Sequence, residues 1–283
     1  MSFENQKIAF IGSGIMGEAM MKGLVSKQLL QPGQIIAADP REDRGVELKQ
    51  RYGLRFTTDN AAAADEADIL VLSVKPQVME KVLPQLRRGA HDASLILSIA
   101  AGVKIDTIVN GIANPSVVRA MPNTPAQIGQ GITVWTATSE VPDEQREQAR
   151  QLLGALGAEI YMEGEGYLDM ATALSGTGPA YVFLFMEAMI DAGVHMGFSR
   201  RDAEQLVLQT VRGSVEYAQA SGSHLAELRN QVTSPGGTSA EAIYHLEKGG
   251  LRTVLARAVW AAYQRSVALG GGKPRNPNGD QAD

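Results

Sequence analysis

Three glycines behind an apolar run define the first site for chemistry. Residues 8–17 read Ile-Ala-Phe-Ile-Gly-Ser-Gly-Ile-Met-Gly, so Gly12, Gly14 and Gly17 stand at GxGxxG spacing after the run Ile8 to Ile11. The stretch Glu18 to Lys27 that follows has helical character. Strand, tight turn and helix opening form the context in which this motif binds a dinucleotide. Gly12 makes the turn, Gly14 lets a pyrophosphate approach the backbone, and Gly17 lets the helix pack on the strand. The first N–H groups of the helix and its positive dipole end then face the phosphates. A second apolar run, Gln34 to Ala38, ends in Asp39, where an acid would bind ribose hydroxyls. Asp39 favours NADH, because it would bond a 2′-hydroxyl and repel a 2′-phosphate. Arg41 and Arg44 follow at once and would bind that phosphate, which favours NADPH.

Two further turns lie at strand ends, where open α/β sheets bind ligands. In Val71-Leu72-Ser73-Val74-Lys75-Pro76, the residues Val74, Lys75 and Pro76 would flank a cofactor. Lys75 reads equally as a contact to phosphate or ribose and as a solvated lysine at a helix start. In Ser98-Ile99-Ala100-Ala101-Gly102, the last three residues are small enough to let a nicotinamide ring lie close. The turn Arg119-Ala120-Met121-Pro122-Asn123-Thr124-Pro125 carries two prolines, which stiffen the backbone. It either holds Asn123 beside a ligand or is a structural turn.

Two hydroxyl-rich segments open helices. In Leu174-Ser175-Gly176-Thr177-Gly178-Pro179-Ala180-Tyr181, Ser175 and Thr177 are candidate caps and Pro179 suits the first helical turn. The segment Val232-Thr233-Ser234-Pro235-Gly236-Gly237-Thr238-Ser239 is a second glycine-rich loop at a helix start, so it is a second anion site. A substrate carboxylate would fit it, and its hydroxyls supply neutral donors and acceptors. A well-capped helix is the other reading. The four histidines, His91, His195, His224 and His245, show no metal-ligand spacing, so no metal is expected. No lysine stands between Lys104 and Lys248, which removes a helix-borne lysine acid or base from the second half.

The elements that must position these residues fall into two halves. The first alternates apolar runs (7–11, 34–38, 69–73, 94–99, 117–119, 132–137 and 158–161) with helical stretches (41–51, 76–87, 106–112 and 142–156). Such alternation predicts an α/β domain with a mainly parallel sheet covered on both faces. The second half, Tyr167 to Leu269, reads as helices over 178–196, 200–219, 224–230, 239–247 and 251–269. The stretch Pro179–Met196 is apolar on most faces and is expected to pack on other helices or on a partner subunit. The expected division is 1–162 for dinucleotide binding, 163–269 for a helical substrate and dimerisation domain, and 270–283 as a disordered tail.

Composition bounds the partners. The 283 residues carry a net charge of −5, so no nucleic-acid partner is expected. There is no cysteine, so disulfides, thiol catalysis and cysteine–metal sites are excluded. The chain enters its first strand within a few residues, leaving no room for a signal peptide, and no apolar run approaches the ~20 residues of a membrane span. A cytoplasmic protein with no membrane partner is expected.

From about Lys7 to Leu269 the chain resembles the pyrroline-5-carboxylate reductase family. The resemblance rests on the N-terminal glycine motif, Val74-Lys75-Pro76, Ala100-Ala101-Gly102, Met121-Pro122-Asn123-Thr124-Pro125, Ser175 to Tyr181, and Leu228 through Glu247. It implies a Rossmann-type doubly wound sheet followed by an all-α dimerisation domain, with dimers assembled further into a decamer. It implies reduction of 1-pyrroline-5-carboxylate to L-proline, the last step of proline biosynthesis, by hydride from NADPH, with NADH as the alternative. By the same resemblance Gly12, Ser13, Gly14, Ile15, Met16, Gly17, Val74 to Pro76 and Ala100 to Gly102 hold the cofactor, and the residues themselves place Asp39, Arg41 and Asn123 as candidates beside it. Ser234, Pro235, Gly236, Gly237, Thr238 and Ser239 hold the substrate carboxylate, and the hydroxyls of Thr238 and Ser239 are the catalytic candidates facing the ring nitrogen. One position departs from the family pattern: Ser239 stands where threonine is usual. Another cyclic-imine reductase and a non-catalytic dinucleotide sensor share the architecture.

Overall fold

The computed structural model describes residues 3–92 and 95–272. Eight strands form one sheet: β1 (Ile8–Ile11), β2 (Ile35–Ala38), β3 (Arg55–Thr57), β4 (Ile69–Leu72), β5 (Leu95–Ser98), β6 (Val117–Met121), β7 (Gly131–Ala137) and β8 (Gly157–Tyr161). Their order is β3-β2-β1-β4-β5-β6-β7-β8. Strands β1 to β6 run parallel, β7 is antiparallel to β6, and β8 is parallel to β7. Ile8 pairs in register with Ile35 on one side and Ile69 on the other, so the chain winds outward in both directions from β1 and β4. Their carboxyl ends form the switch point at which such sheets bind ligands.

Every residue of β1, β2, β4 and β5 is buried. Helices on both faces explain why these strands are apolar but for Ser98 at the end of β5. The helices of this half are α1 (Ile15–Ser26), α2 (Glu42–Tyr52), α3 (Asn60–Asp65), α4 (Met79–Asp92), α5 (Ile105–Ile112) and α6 (Asp143–Gly154). Ile8 and Phe10 join a core with Met20, Met21 and Leu24 of α1, Leu48 of α2 and Leu152 of α6. Ala9 and Ile11 belong to a second core with Ala63 of α3, Leu83 and Leu86 of α4, and Ile108 of α5. A fully buried leucine such as Leu24 or Leu86 stabilises the fold by about 1.5–3 kcal/mol.

The expected α/β sheet is present, with three local differences. Strand β3 is only three residues at the sheet edge, and its Arg55 is exposed, so it carries no alternating signal. Helix α3 is six residues, four of them alanine, and it starts because Asp59 Oδ1 accepts the N–H groups of Ala61 and Ala62 at 2.9 and 3.2 Å. Pro76 opens a short 3-10 turn, and the α-helix begins at Met79.

Beyond β8 the chain is helical: α7 (Gly166–Ala171), a π turn (Thr172–Gly176), α8 (Gly178–His195), α9 (Arg200–Ser221), α10 (Leu225–Gln231), α11 (Thr238–Lys248) and α12 (Leu251–Leu269). The chain forms two compact units. One runs up to Thr177 and resumes at Ala262, and the other is Gly178–Ala261. In the first, Leu168 and Ala171 of α7 pack on Val134 of β7. In the second, α8 and α9 make a hairpin whose close approach is at Gly193, where a Cβ would lie 3.0 Å from that of Ala203. Gly193 is the one buried residue of α8, and Phe183, Leu184 and Phe185 are 58, 66 and 48% exposed. Within its own chain, therefore, α8 does not find the cover that its composition calls for. By length and composition alone the stretch Gly166–His195 would pass as long and apolar enough to cross a membrane, a test that a core helix passes equally. The π turn ends at Gly176, Thr177 is a bend, and α8 starts at Gly178. Gly270 to Gly272 close α12 by a turn, and the rest of the expected tail, 273–283, lies outside the described residues.

Gly157 opens β8 at φ +136°, and a Cβ there would lie 2.2 Å from the carbonyl oxygen of Gly131. Both the backbone angle and the paired strand forbid a side chain. Gly157→Ala is expected to lower stability to urea by about 2 kcal/mol. An unchanged unfolding midpoint would contradict this packing.

Candidate active site

Four loops leave the carboxyl ends of the neighbouring strands β2, β1, β4 and β5, and they are tied to one another by backbone. Gly12 N–H donates to Ala38 O at 2.8 Å, Ser73 N–H to Ile11 O at 2.9 Å, and Ile99 N–H to Leu72 O at 3.0 Å. Gly12 has φ +96°, and a Cβ on it would meet Val74 Cγ1 at 2.7 Å. On Gly17 a Cβ would meet Gly12 O at 2.8 Å, so the helix can sit this close to the turn only without one. Around Gly14 nothing lies within 4 Å of the Cβ position, and Gly14 caps α1 with no side-chain bond. The first turn of α1 is thus open for an anion to approach its N–H groups, and a dinucleotide pyrophosphate fits that cradle. Ser73, which no motif flagged, donates its hydroxyl to Gly12 O at 2.6 Å.

Ser13 is fully buried between an acid and a base. Asp39 Oδ2 accepts its N–H at 3.2 Å and its hydroxyl at 3.0 Å, while Arg44 Nε donates to its carbonyl at 2.9 Å. Asp39 Oδ1 accepts from Arg41 N and Nε at 3.1 and 3.2 Å. Both oxygens of the carboxylate are therefore engaged within the chain. Burial pushes the Asp39 carboxyl up, but the bonds from Arg41 and Ser13 outweigh it and hold its pKa below the ordinary value. The Arg41 side chain is 58% exposed, and only its Nε meets Asp39, so its outer edge faces solvent.

Arg44 does not serve as the phosphate ligand that sequence suggested. It is buried, its Nη1 bonds Glu47 at 2.6 Å, and its Nη2 bonds Glu18. Glu18 also accepts from Arg51 Nη1 at 3.1 Å and from Tyr52 Oη at 2.9 Å. Burial raises the Glu18 carboxyl, and the bonds from Arg44, Tyr52 and Arg51 more than reverse that. Proximity in sequence pointed Arg44 at a ligand, whereas the turn of α2 points it back under the glycine loop.

The other two loops differ in burial. Lys75 and Pro76 are exposed, Val74 is half-buried, and Lys75 makes no ion pair among the described residues. Ala100 is buried, its N–H donates to Ser98 Oγ at 3.3 Å, and Ala101 and Gly102 are half-buried. Asn123 follows β6 and is spent on the protein itself. Its Oδ1 accepts Ile132 N–H at 2.9 Å, and its Nδ2 donates to Ser175 O at 3.1 Å, so it pins the proline turn to β7 and to the π turn. Ser175 and Thr177 do not cap α8 through their side chains. Their hydroxyls bond backward, to Ala171 O and Thr172 O at 2.9 and 2.8 Å.

In the helical unit, the loop before α11 folds back on itself. Gly237 N–H donates to Ser234 O at 3.0 Å, and a Cβ on Gly237 would lie 2.5 Å from Ser234 Oγ. Gly237 caps α11 without a side chain, and its carbonyl accepts from Ala240 and Glu241. Thr238 and Ser239 are the first residues of the helix, so their N–H groups have no helical acceptor. Thr238 is exposed and Ser239 half-buried, and neither hydroxyl bonds to another described residue. An anion at this helix start would meet backbone N–H groups and two unengaged hydroxyls. Among the described residues no group of three acidic or histidine side chains could hold a metal.

Residues 165–269 match the family described as pyrroline-5-carboxylate reductase dimerisation, and residues 7–102 match that described as NADP oxidoreductase, coenzyme F420-dependent. A pyrroline-5-carboxylate reductase of Synechocystis sp. is 40% identical, over 93% of this chain and 98% of its own length. Among solved structures, the pyrroline-5-carboxylate reductase of Coxiella burnetii superposes with a TM-score of 0.87 at 35% identity, covering 94% of this chain and 99% of that one. The Plasmodium falciparum pyrroline carboxylate reductase with NADP bound gives 0.86 at 33% identity, covering 94% and 99%.

The Asp39 carboxylate stabilises the fold when charged. Its native pKa lies below the unfolded value of about 3.9, so this stabilisation is complete above that pH and is lost as pH falls through the native pKa. Asp39→Asn is expected to cost about 2 kcal/mol at neutral pH. In urea titrations the gap to the parent should shrink as the acid end is reached. A gap independent of pH would contradict the pairing.

Proposed function

We propose a residue-level mechanism for this chain, which belongs to the pyrroline-5-carboxylate reductase family and reduces 1-pyrroline-5-carboxylate to L-proline with NADP(H). When bound, NADPH supplies the hydride that the carbon of the ring C=N bond accepts. The glycine loop, Gly12 to Gly17 with Ser13, Ile15 and Met16, receives the pyrophosphate on the open first turn of α1. The observation that carries this is the empty space over Gly14 beside a Ser13 held from both sides.

Arg41 takes the 2′-phosphate. Asp39 does not face that phosphate as a bare charge, because its oxygens are already bonded by Ser13 and Arg41. It orients the guanidinium instead, and so supports NADPH over NADH. Val74, Lys75 and Pro76 flank the cofactor on one side, and Ala100, Ala101 and Gly102 give its nicotinamide a small, flat neighbour. Asn123 shapes the adjoining turn through the bonds it makes to Ile132 and Ser175.

Ser234, Pro235, Gly236, Gly237, Thr238 and Ser239 bind the substrate carboxylate at the start of α11, with the hydroxyls of Ser239 and Thr238 toward the ring nitrogen. An imine protonated in solution already has an electrophilic carbon. The protein then has mainly to orient it, and orientation supplies several kcal/mol of barrier lowering. Neutral hydroxyls and backbone N–H groups suffice for that, which fits a loop without histidine or lysine. Ser239 lacks the methyl of threonine and rotates more freely about χ1.

Dinucleotide binding is assigned to 1–162, and substrate binding and self-association to 163–269. The uncovered apolar residues of α8 support a dimer through the helical half, with dimers assembling further into a decamer. We place the enzyme in the cytoplasm, since a chain without cysteine makes no use of an oxidising compartment.

Two variants test the roles. Arg41→Ala should raise KM for NADPH about tenfold and leave KM for NADH nearly unchanged, the loss of one charge-assisted contact. Equal effects on both cofactors would remove Arg41 from the phosphate site. Ser239→Ala should lower kcat about tenfold or more, with Ser239→Thr retaining activity, since an aligned hydrogen bond in the transition state is at stake. Unchanged turnover in the alanine variant would deny the hydroxyl a catalytic role.

A further inference from the structure

Arg119 is 3% exposed in β6, and neither the glycine loop nor the loop before α11 uses it. Its Nη1 donates to Glu165 Oε1 at 2.6 Å, and its Nε has no partner among the described residues. Burying an ionised arginine on a single carboxylate is a poor way to gain stability, because desolvation opposes the attraction. The location suggests what the pair does instead. In register, Arg119 lies beside Ser98, the last residue of β5, whose hydroxyl accepts Ala100 N–H at 3.3 Å. The same oxygen of Glu165 that takes Arg119 also accepts Ile105 N–H, the first of α5, at 2.8 Å. The loop Ala100–Gly102 thus leaves the sheet after Ser98, the strand neighbour of Arg119, and leads to Ile105, whose N–H bonds Glu165, so the ion pair lies between the positions on either side of the loop.

We infer that Arg119 and Glu165 are positioning residues for hydride transfer: their ion pair sets the depth of the Ala100–Gly102 loop. The inference rests on the assignment of that loop to the nicotinamide. A shift of this loop changes the distance over which hydride passes without removing any group that holds the substrate carboxylate or the 2′-phosphate. Displacements of about 1 Å at a reacting centre cost up to about a hundredfold in rate.

The test compares Glu165→Gln, Arg119→Lys and Arg119→Met with the parent, using 1-pyrroline-5-carboxylate and NADPH carrying hydrogen or deuterium at the transferred position. Glu165 is partly exposed, so its variant is the one most certain to fold, and it decides the matter if the Arg119 variants do not. In folded variants kcat should fall about tenfold or more, KM for 1-pyrroline-5-carboxylate should stay within about twofold, and the isotope effect on kcat should rise. Arg119→Lys should recover part of the loss seen in Arg119→Met. A merely structural role would lower the melting temperature and leave the isotope effect unchanged, and that result would overturn the inference. Ala101→Val separates the two layers of the reading. If it leaves KM for NADPH unchanged, the loop does not face the nicotinamide and the inference falls with that assignment. If it raises KM while Glu165→Gln is silent, the positioning role alone falls.

Discussion

Every polar atom of Ser13 is engaged. Its N–H and hydroxyl go to Asp39 and its carbonyl to Arg44, and no part of the residue reaches solvent. The rest of the cofactor half depends on this clamp. It fixes the turn between Gly12 and Gly14, which leaves the first N–H groups of α1 facing open space. The partners of the clamp reach outward in turn: Asp39 aligns Arg41, and Arg44 is braced by Glu18 and Glu47. A buried carboxylate and a buried guanidinium each cost desolvation, and both are tolerated because every bond they make is charge-assisted. Ser13, Asp39, Arg41, Arg44, Glu18 and Glu47 are therefore one charge-assisted network around the glycine loop.

Much of this was legible in the sequence because it is local. GxGxxG spacing behind an apolar run predicts strand, turn and helix, and β1, Gly12 and α1 follow that order. Fully apolar four-residue runs predict covered parallel strands, and β2 and β4 are such strands, with β5 differing only in its last residue, Ser98. The helices of the second half were legible from their period. What escaped was short or non-local. Strand β3 has three residues and an exposed arginine, too little for a pattern. Helix α3 is almost pure alanine, although Asp59 before it was a usable capping signal. Arg44 carries the right charge at the right distance in sequence, and only the rotation of α2 shows that it faces inward. Glu165 lies 46 residues from Arg119, and nothing in either segment announces the pair.

The helical half shows the opposite balance. Its helices were predicted closely, but their burial was not, because a single chain leaves α8 uncovered. Phe183, Leu184 and Phe185 are consecutive and all exposed, so no rotation of α8 could hide them in one groove. The match of 165–269 to a family described as dimerisation fits such exposed apolar residues. The loop before α11 belongs to the same half, and its hydroxyls at Thr238 and Ser239 make no bond to another described residue.

The central claim is that the Ser13 clamp, by neutralising Asp39 and aligning Arg41, makes this chain an NADPH-dependent reductase in spite of an acid at the end of β2. The ratio of kcat/KM for NADPH to that for NADH, measured with 1-pyrroline-5-carboxylate on the parent protein, tests it most directly. A ratio well above one, falling toward one as added salt screens the arginine, is the predicted result. A ratio below one would mean that Asp39 acts as a bare acid on the ribose, and it would contradict the account.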